Sequence, residues 1–567
     1  MKRNVRLFSM ILALLCVVSM IPVMTVSAET TNVSDIADRA DYEATDGTTY
    51  KVVRDVDDLH SFLDSNNALT ANIILGADIN YAGKTHKQIE LNGKILNGNG
   101  YAIYGWSFSG TGNKGGYKES SAGGTIKNLT MGLPEKPMSM TGTSSGTCGI
   151  FLNAATGGTL SFENVTVYAT LTTSGYNVGG FIGLANKSAT VSFKNCKFYG
   201  SMNDTGGNNS GGFVGKTDNT ANVTFENCFN YATVRNPGGG DTGGFVGSMV
   251  STSTVTIKNS ANLGDVNAKG AAGGFVGAVS SSTGVTLSIE NSLNTGSISS
   301  STAGAGGLLG AKGYDADTVT LTNSVNVGCV SSDSSNAGGL VSNSRKNLTI
   351  DKCGSFADIN TETGKKGAIW ANKNSDPTLK NGLFYTEIAG AADSSWLTTN
   401  GTSKNLAKGI AWTNALLGET VGKLIVNNAG TGAVLAAPTF AGVQEATNTA
   451  GKIRFVATLN DSLNYSAVGF KVTLVGGQTV TTSCQEVYNT LTTTDGDGLP
   501  ASVTAKDLYG TYIFALAIKN VPTSGTVKLQ VTPYGKDLTD PTIEYAGDTY
   551  EIVYTDGKVV DVYLYTA

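Results

Sequence analysis

The chain has 567 residues, enough for several domains at about 150 each. Glycine fills 73 positions, proline 10 and histidine 2, and charged residues make up 15%. Without a Gly-X-Y period this is not collagen, the low charge argues against a disordered chain, and His60 and His86 alone cannot furnish a catalytic centre built on several histidines.

Lys2, Arg3 and Arg6 precede an apolar run over 7–26, and Val26-Ser27-Ala28 has the small-residue pattern of a cleavage site. Residues 1–28 are therefore expected to be a secretory signal peptide, and the mature protein extracellular. Removing those three basic residues takes the formal net charge from −5 to −8. A mature chain of that charge has no general attraction for nucleic acid. No other run is long and apolar enough to span a membrane.

Residues 50–103 read as the start of a coil, with a short amphipathic helix over 55–63 covering the first rung and His60 on its surface. A repeat then sets in. Gly-Gly-Phe-Ile-Gly begins at Gly179, Gly-Gly-Phe-Val-Gly at Gly211, Gly243 and Gly273, and related copies at Gly306 and Gly338. A second motif (apolar, Ser/Thr, apolar, variable, Asn) ends at Asn164, Asn195, Asn227, Asn259, Asn291 and Asn323, with a first step of 31 residues and four of 32. Each copy alternates with period 2 and holds about three short strands, so it cannot bury its apolar face alone and must stack on its neighbours.

Stacked strands lie about 4.8 Å apart, so equivalent residues become columns. Leu160, Val191, Val223, Val255, Leu287, Val319 and Leu348 form an apolar column. Ala169, Gly200, Ala232, Gly264, Gly296 and Gly328 form a small-residue column suited to a tight inward bend. Asn230, Asn262, Asn294 and Asn326 are placed to bond along the axis as stacked amides do. Glu163, Lys194, Glu226, Lys258 and Glu290 alternate in sign, a register marker for strands in which like charges would repel.

After Trp370 the period dissolves. A closing helix is expected over 403–417 and a linker over 426–437; the segments 453–459, 468–472, 512–516 and 527–531 alternate as antiparallel strands. The expected fold is thus all-β: a right-handed parallel β-helix over 29–400 with its N-terminal capping helix, a closing helix and linker over 401–437, and a smaller antiparallel β-sandwich over 438–567.

Gly-Gly-Phe-Val-Gly followed by Val-Thr-Phe-Glu-Asn-Cys-x-Asn resembles the GLUG-type repeats of secreted and cell-surface β-helix proteins, mostly of Gram-positive bacteria, over about residues 50–420. The tail, with Arg454-Phe455, Gly469-Phe470, Val487-Tyr488 and Thr532-Pro533-Tyr534, is similar to a β-sandwich module of secreted clostridial proteins. The resemblance implies a surface-associated, adhesin-like role and brings no catalytic residues. Some such proteins carry an immunoglobulin-A-cleaving zinc peptidase, whose His-Glu-x-x-His motif this sequence lacks.

The candidate ligand-binding residues are Tyr168, Tyr199 and Tyr231, one column on three successive rungs, one position before the inward small residue and therefore outward-facing. Such a stack is a platform for sugar rings, or else a structural aromatic ladder. The Ser/Thr column from Ser161 to Thr349 is ordinary exposed strand surface rather than an ice-binding face, and Asp495-Gly496-Asp497-Gly498 is a turn rather than a calcium loop. Cys196 and Cys228 share a column and are read as free thiols in a slot that Ser260, Ser292 and Ser324 continue. No catalytic residue, metal or cofactor is implied. The expectation is an adhesin-like binding scaffold for extracellular glycans or host and cell-surface proteins. The alternatives are a β-helical polysaccharide lyase or glycoside hydrolase, which would need clustered carboxylates, and a purely structural spacer.

Overall fold

A strand that alternates apolar and polar residues buries only one face, so each copy of the repeat has to be covered by the next. Val191 pairs with Val223, Val223 with Val255, Val255 with Leu287 and Leu287 with Val319, all in parallel and in register. The computed structural model describes residues 36–399 except 37, 110–114, 119, 135 and 143–145. Of the C-terminal part it describes 424–426, 433–435, 437–445, 453–459, 465–475, 479–484, 487–488, 512–518, 521–522, 524–537, 541–542 and 544–565. The expected signal peptide, the expected helix over 403–417 and the Asp495–Gly498 turn lie outside the described residues.

The chain winds into a parallel β-helix of about nine turns. One eight-stranded wall runs from Thr147–Gly149 to Lys366–Gly367, and a second from Leu152–Ala155 to Trp370–Lys373. The remaining wall carries the long-period motif, from Thr159–Thr173 through Asn222–Glu226 to Leu348–Ser355. A middle rung holds five short strands, Asn209–Gly211, Val214–Thr217, Asn222–Glu226, Phe229–Asn230 and Thr233–Asn236, where the sequence predicts three. The extra breaks fall at the Gly-Gly-Phe corner and at the asparagine bend.

Two aromatic ladders fill the interior. Phe181, Phe213, Phe245 and Phe275 stack at 4.8–5.0 Å between ring centres. Phe162, Phe193 and Phe225 stack at 5.0 and 4.8 Å with planes within 6°. The ladders meet edge to face, Phe181 on Phe193 at 5.4 Å and Phe213 on Phe225 at 5.5 Å, the arrangement that aligns a ring edge with a neighbouring π face. All seven rings are buried.

Asparagine ends the motif for two reasons. Asn164, Asn195, Asn227, Asn259, Asn291 and Asn323 have φ of 48–54°, the left-handed region that asparagine tolerates better than most residues. Their side-chain amides also bond rung to rung, Asn195 to Asn164 at 2.9 Å, Asn227 to Asn195 at 3.2 Å and Asn323 to Asn291 at 3.1 Å. Asn128 and Asn381 share the backbone geometry and extend the column beyond the copies legible in sequence. The expected inner ladder is present too. Asn230, Asn262, Asn294 and Asn326 are fully buried and joined at 2.7 Å, and each also donates to the carbonyl two residues on, Asn262 to Gly264 at 2.8 Å. Every amide so placed is satisfied, which is what makes four buried asparagines tolerable.

Both ends of the coil are covered. Asp41–Glu43 pairs antiparallel with Thr49–Val53, which pairs parallel with Ile73–Leu75, so the first rung has no open edge. The helix expected over 55–63 forms at Val56–Ser61; Asp55 caps it by accepting from the Asp58 N–H at 2.9 Å, and Val56 and Leu59 are buried. At the other end a rung's usual partner is missing. In mid-stack the N–H groups of Phe213 and Val214 donate to the carbonyl of Phe245. In the last copy those of Ala368, Ile369 and Trp370 donate instead to the buried Asp393 carboxylate at 3.1, 2.7 and 3.0 Å. The short helix Ser394–Thr399 follows, placing Trp396 against Trp370. This closure lies before the segment where a closing helix was expected.

The C-terminal part is a sandwich of two antiparallel sheets. One contains Thr439–Glu445, Ile453–Leu459, Tyr512–Ile518 and Val487–Tyr488. The other contains Thr479–Cys484, Tyr465–Leu474, Thr526–Asp537, Glu544–Ala546, Tyr550–Thr555 and Lys558–Leu564. Phe455, Phe470, Phe514, Val531 and Ile552 form the core between them.

The corner glycines supply a direct check on the stacking. A Cβ on Gly244 would lie 2.2 Å from both the Gly274 carbonyl and the Asn262 Oδ1, neither of which can move without breaking a ladder. Gly244→Ala is expected to cost about 3 kcal/mol or more, read as a large drop in thermal midpoint. A loss within about 0.5 kcal/mol, the surface-substitution range, would contradict this packing.

Candidate functional site

The outward side chains of the long wall inherit the register of the strands beneath them. Glu163 lies beside Lys194, Lys194 beside Glu226, Glu226 beside Lys258 and Lys258 beside Glu290, as the alternating column requires. Ser161, Ser192, Thr224 and Thr256 form the adjacent column, with the Ser192 hydroxyl donating to that of Ser161 at 3.1 Å. With Glu163, Lys194, Glu226 and Lys258, these four line a shallow groove of about 520 Å³. Lys258 and Glu290 pair at 3.1 Å. Among the described residues, Glu163, Lys194 and Glu226 make no ion pair within 4 Å, although each sits next to an opposite charge. The exposed side chains remain in water because a surface pair gains little from closing.

The tyrosine column lies past the asparagine bend, on Thr159–Thr173, Lys197–Asp204 and the rung above. Tyr168 pairs with Tyr199, and the rings stack at 4.9 Å with planes 13° apart; Tyr199 and Tyr231 stack at 4.4 Å and 7°. The outward stack expected from sequence is therefore formed, but the rings are half-buried and the Tyr199 hydroxyl is sealed from solvent. Tyr550 and Asp548 of the C-terminal sandwich are among the groups that influence the ionisation of Tyr199. Burial, then the Tyr550 hydroxyl and the neighbouring tyrosines, holds the Tyr199 phenol well above the usual tyrosine range, and Asp548 adds to the same effect. Tyr550 is raised likewise, first by burial and then by Tyr168, Asp548 and Tyr231. Burial lowers the Lys197 ammonium, partly offset by Asp548.

The remaining chemically active groups have structural partners. Cys196 and Cys228 are buried free thiols. Each lies against the carbonyl two residues back, at 3.4 Å, and Ser260, Ser292 and Ser324 donate to the equivalent carbonyls at 2.6–2.8 Å. The column is a slot for any small side chain that can meet that carbonyl. The loop carboxylates accept from backbone on neighbouring rungs: Asp241 from the Ala271 N–H at 3.2 Å and Asp265 from the Ser297 N–H at 2.8 Å. Asp204 accepts from the Gly206 N–H and the Ser210 hydroxyl, both at 3.0 Å. His60 reaches Tyr81, its Nε2 3.5 Å from the Tyr81 hydroxyl, and His86 packs edge-on against Trp106 at 4.0 Å between ring centres. Burial first, then His60, lowers the His86 pKa to about 4. Among the described residues no group of three or more His, Cys, Asp or Glu is placed to hold a metal ion, and no helix is long and apolar enough to cross a membrane.

Two features escaped sequence reading. The groove was visible only as a register marker, because spacing alone does not say whether neighbouring charges close onto one another. Tyr550 and Asp548 carry no signal at all, since they lie outside the repeat and far in sequence from the tyrosines whose ionisation they influence.

No family model matches the chain, and no curated protein matches it. Among solved structures, the crystal structure of a putative immunoglobulin A1 protease from Bacteroides ovatus aligns at 17% identity over 66% of this chain and 88% of that one, with a TM-score of 0.32. At that score the alignment carries no argument, and the fold rests on the strand pairing described above.

Asp204 makes the electrostatics testable. Burial raises its pKa from 3.8 to about 6 against the opposing hydrogen bonds from Gly206 and Ser210. A group that binds its proton more tightly when folded stabilises the fold at low pH, and that contribution is lost as pH rises through about 6. Asp204→Asn keeps the acceptor for Gly206 and cannot ionise. Relative to the parent chain it should gain up to about 3 kcal/mol between pH 4 and pH 7.5, measured by denaturant unfolding at both pH values. A difference independent of pH would contradict the assignment.

Proposed function

We propose that this chain is an extracellular, non-catalytic binding scaffold whose groove over Ser161–Lys258 takes a polysaccharide bearing charged sugars. The observation that carries the proposal is the groove itself: four successive hydroxyls beside Glu163, Lys194 and Glu226, charges left free of ion pairs on a rigid wall. A hydroxyl-rich, hydrated polymer is recognised by many modest hydrogen bonds and charge-assisted contacts rather than by one deep cavity, and a lattice of side chains repeating every 4.8 Å or so supplies them along the polymer. The secretory reading of residues 1–28, the likeness to GLUG-type surface repeats and the likeness of the tail to a clostridial secreted module belong to the same proposal and agree with it. The loop carboxylates that a lyase or hydrolase would need in pairs are instead engaged by backbone N–H groups. The three tyrosines, half-buried, contribute to ligand contact only through their exposed edges.

A glycan array probed with residues 29–567, followed by titration of the strongest hit, tests this. Lys194→Ala with Glu226→Ala, both exposed positions, is expected to weaken binding about tenfold or more, about 1.4 kcal/mol, without lowering the thermal midpoint. Binding of no glycan, or binding unchanged in the double variant, would overturn the groove; the first outcome would leave a structural spacer, and release of shortened or unsaturated sugars would reveal an enzyme.

A further inference from the structure

We infer that the polymer taken by the groove alternates a uronate with a neutral, amide-bearing sugar, because the wall repeats its hydroxyls at every rung and its charges only at every second rung. The inference rests on the groove reading above and names the substrate class of that same site.

The first argument is the pair of periods. Strand pairing sets Thr125, Ser161, Ser192 and Thr224 side by side, one hydroxyl per rung, with neighbours about 4.8 Å apart. The same pairings set Lys127 beside Glu163, Glu163 beside Lys194 and Lys194 beside Glu226. Lys127 thus continues the alternating column one rung earlier than the copies legible in sequence. Like charges recur only every two strand spacings, about 9.6 Å. An extended glycan advances by about one strand spacing per sugar, so successive sugars meet the same hydroxyls but opposite charges. One carboxylate per two sugars sets each of them over a lysine, a charge-assisted contact. A carboxylate on every sugar facing the wall would set every second one against a glutamate, and like-charge contacts of this kind exclude a wrong partner. Between the lysines an ionised glutamate can only accept, so the sugar it meets is one that offers N–H or O–H donors.

The second argument is availability. Lys258 closes on Glu290 at 3.1 Å, but among the described residues Lys127, Glu163, Lys194 and Glu226 make no ion pair within 4 Å. A surface pair gains little from closing, so turning these side chains to a ligand forfeits little. Lys194 and Glu226 are exposed, and Lys127 and Glu163 half-exposed. The third argument is the other flank of the hydroxyl column. Thr159, Thr190 and Asn222, paired rung on rung and exposed, add a further line of donors and acceptors with the one-rung period. Because the hydroxyl columns present the same groups at each rung, a polymer can slide by one sugar without losing them. Affinity should therefore depend on the alternation of the charge column and not on its phase.

The test uses residues 29–567 and unsulfated oligosaccharides in which glucuronate alternates with N-acetylglucosamine, titrated by calorimetry at low salt. The swap E163K/K194E keeps every charge and breaks the alternation, and it is expected to weaken binding at least about tenfold. The inversion K127E/E163K/K194E/E226K/K258E/E290K keeps the alternation and shifts its phase, and it is expected to bind within about twofold of the parent chain. Thermal midpoints report folding of each variant. E163Q/K194Q, which introduces no repulsion between rungs, is expected to weaken binding several-fold and carries the test should the swap fail to fold. Binding unchanged in the swap or in E163Q/K194Q, or an inversion that folds and loses as much affinity as the swap, would overturn the alternation. Failure of these oligosaccharides to bind while another glycan does would overturn the substrate class and leave the groove standing; binding of no glycan at all would overturn the groove beneath it.

Discussion

The constraint on which this molecule depends is vertical registry. Each residue of the coil sits above its counterpart one turn earlier, at the spacing of hydrogen-bonded strands, and the sequence must be acceptable in that position about nine times in succession. The corner of each rung brings a Cα so close to the carbonyl of the next that only hydrogen fits, hence glycine. The bend after the long strand turns through left-handed backbone, hence asparagine, whose amide then bonds to the asparagine below. Inside, phenylalanines at ladder spacing lie face to face along the axis and edge to face across it. None of these features is stable in a single copy. The stack makes them mutually supporting, which is why its ends need Asp41–Glu43 and Asp393 to stand in for missing rungs.

A surface built this way is a lattice, and its function follows from where the lattice is uniform and where it is interrupted. The uniform part, the hydroxyl and charge columns, offers the same contacts at each step and suits an extended ligand. The tyrosine column is not uniform: three stacked tyrosines give way to Leu263, Thr295, Val327 and Phe356, so it does not offer the same contact at each step.

Repetition explains how much could be read in advance. The apolar column, both asparagine columns, the small inward residues and the alternating charges were legible because each is stated several times at a fixed period, and strand pairing reproduces each register. The capping helix was legible from its amphipathic pattern and Asp55. Single-copy features were not. Asp393 is one carboxylate among many in sequence, and only the three N–H groups converging on it disclose its role. The division of a middle rung into five strands depends on backbone turns at a glycine corner, which spacing locates but does not resolve. The tyrosine stack is legible as a column, whereas the burial of the Tyr199 hydroxyl is not, because no pattern along the column states it.

Distance along the stack is the most direct measure of registry. Nitroxide labels on the exposed-face pair Ser161 and Thr320, five rungs apart, should lie about 24 Å from each other by electron–electron double resonance, and labels on Ser192 and Thr320 about 19 Å. The difference of one strand spacing is the result expected of a coil with one repeat per turn. Two distances that coincide, or that grow with the number of intervening residues rather than of rungs, would contradict it.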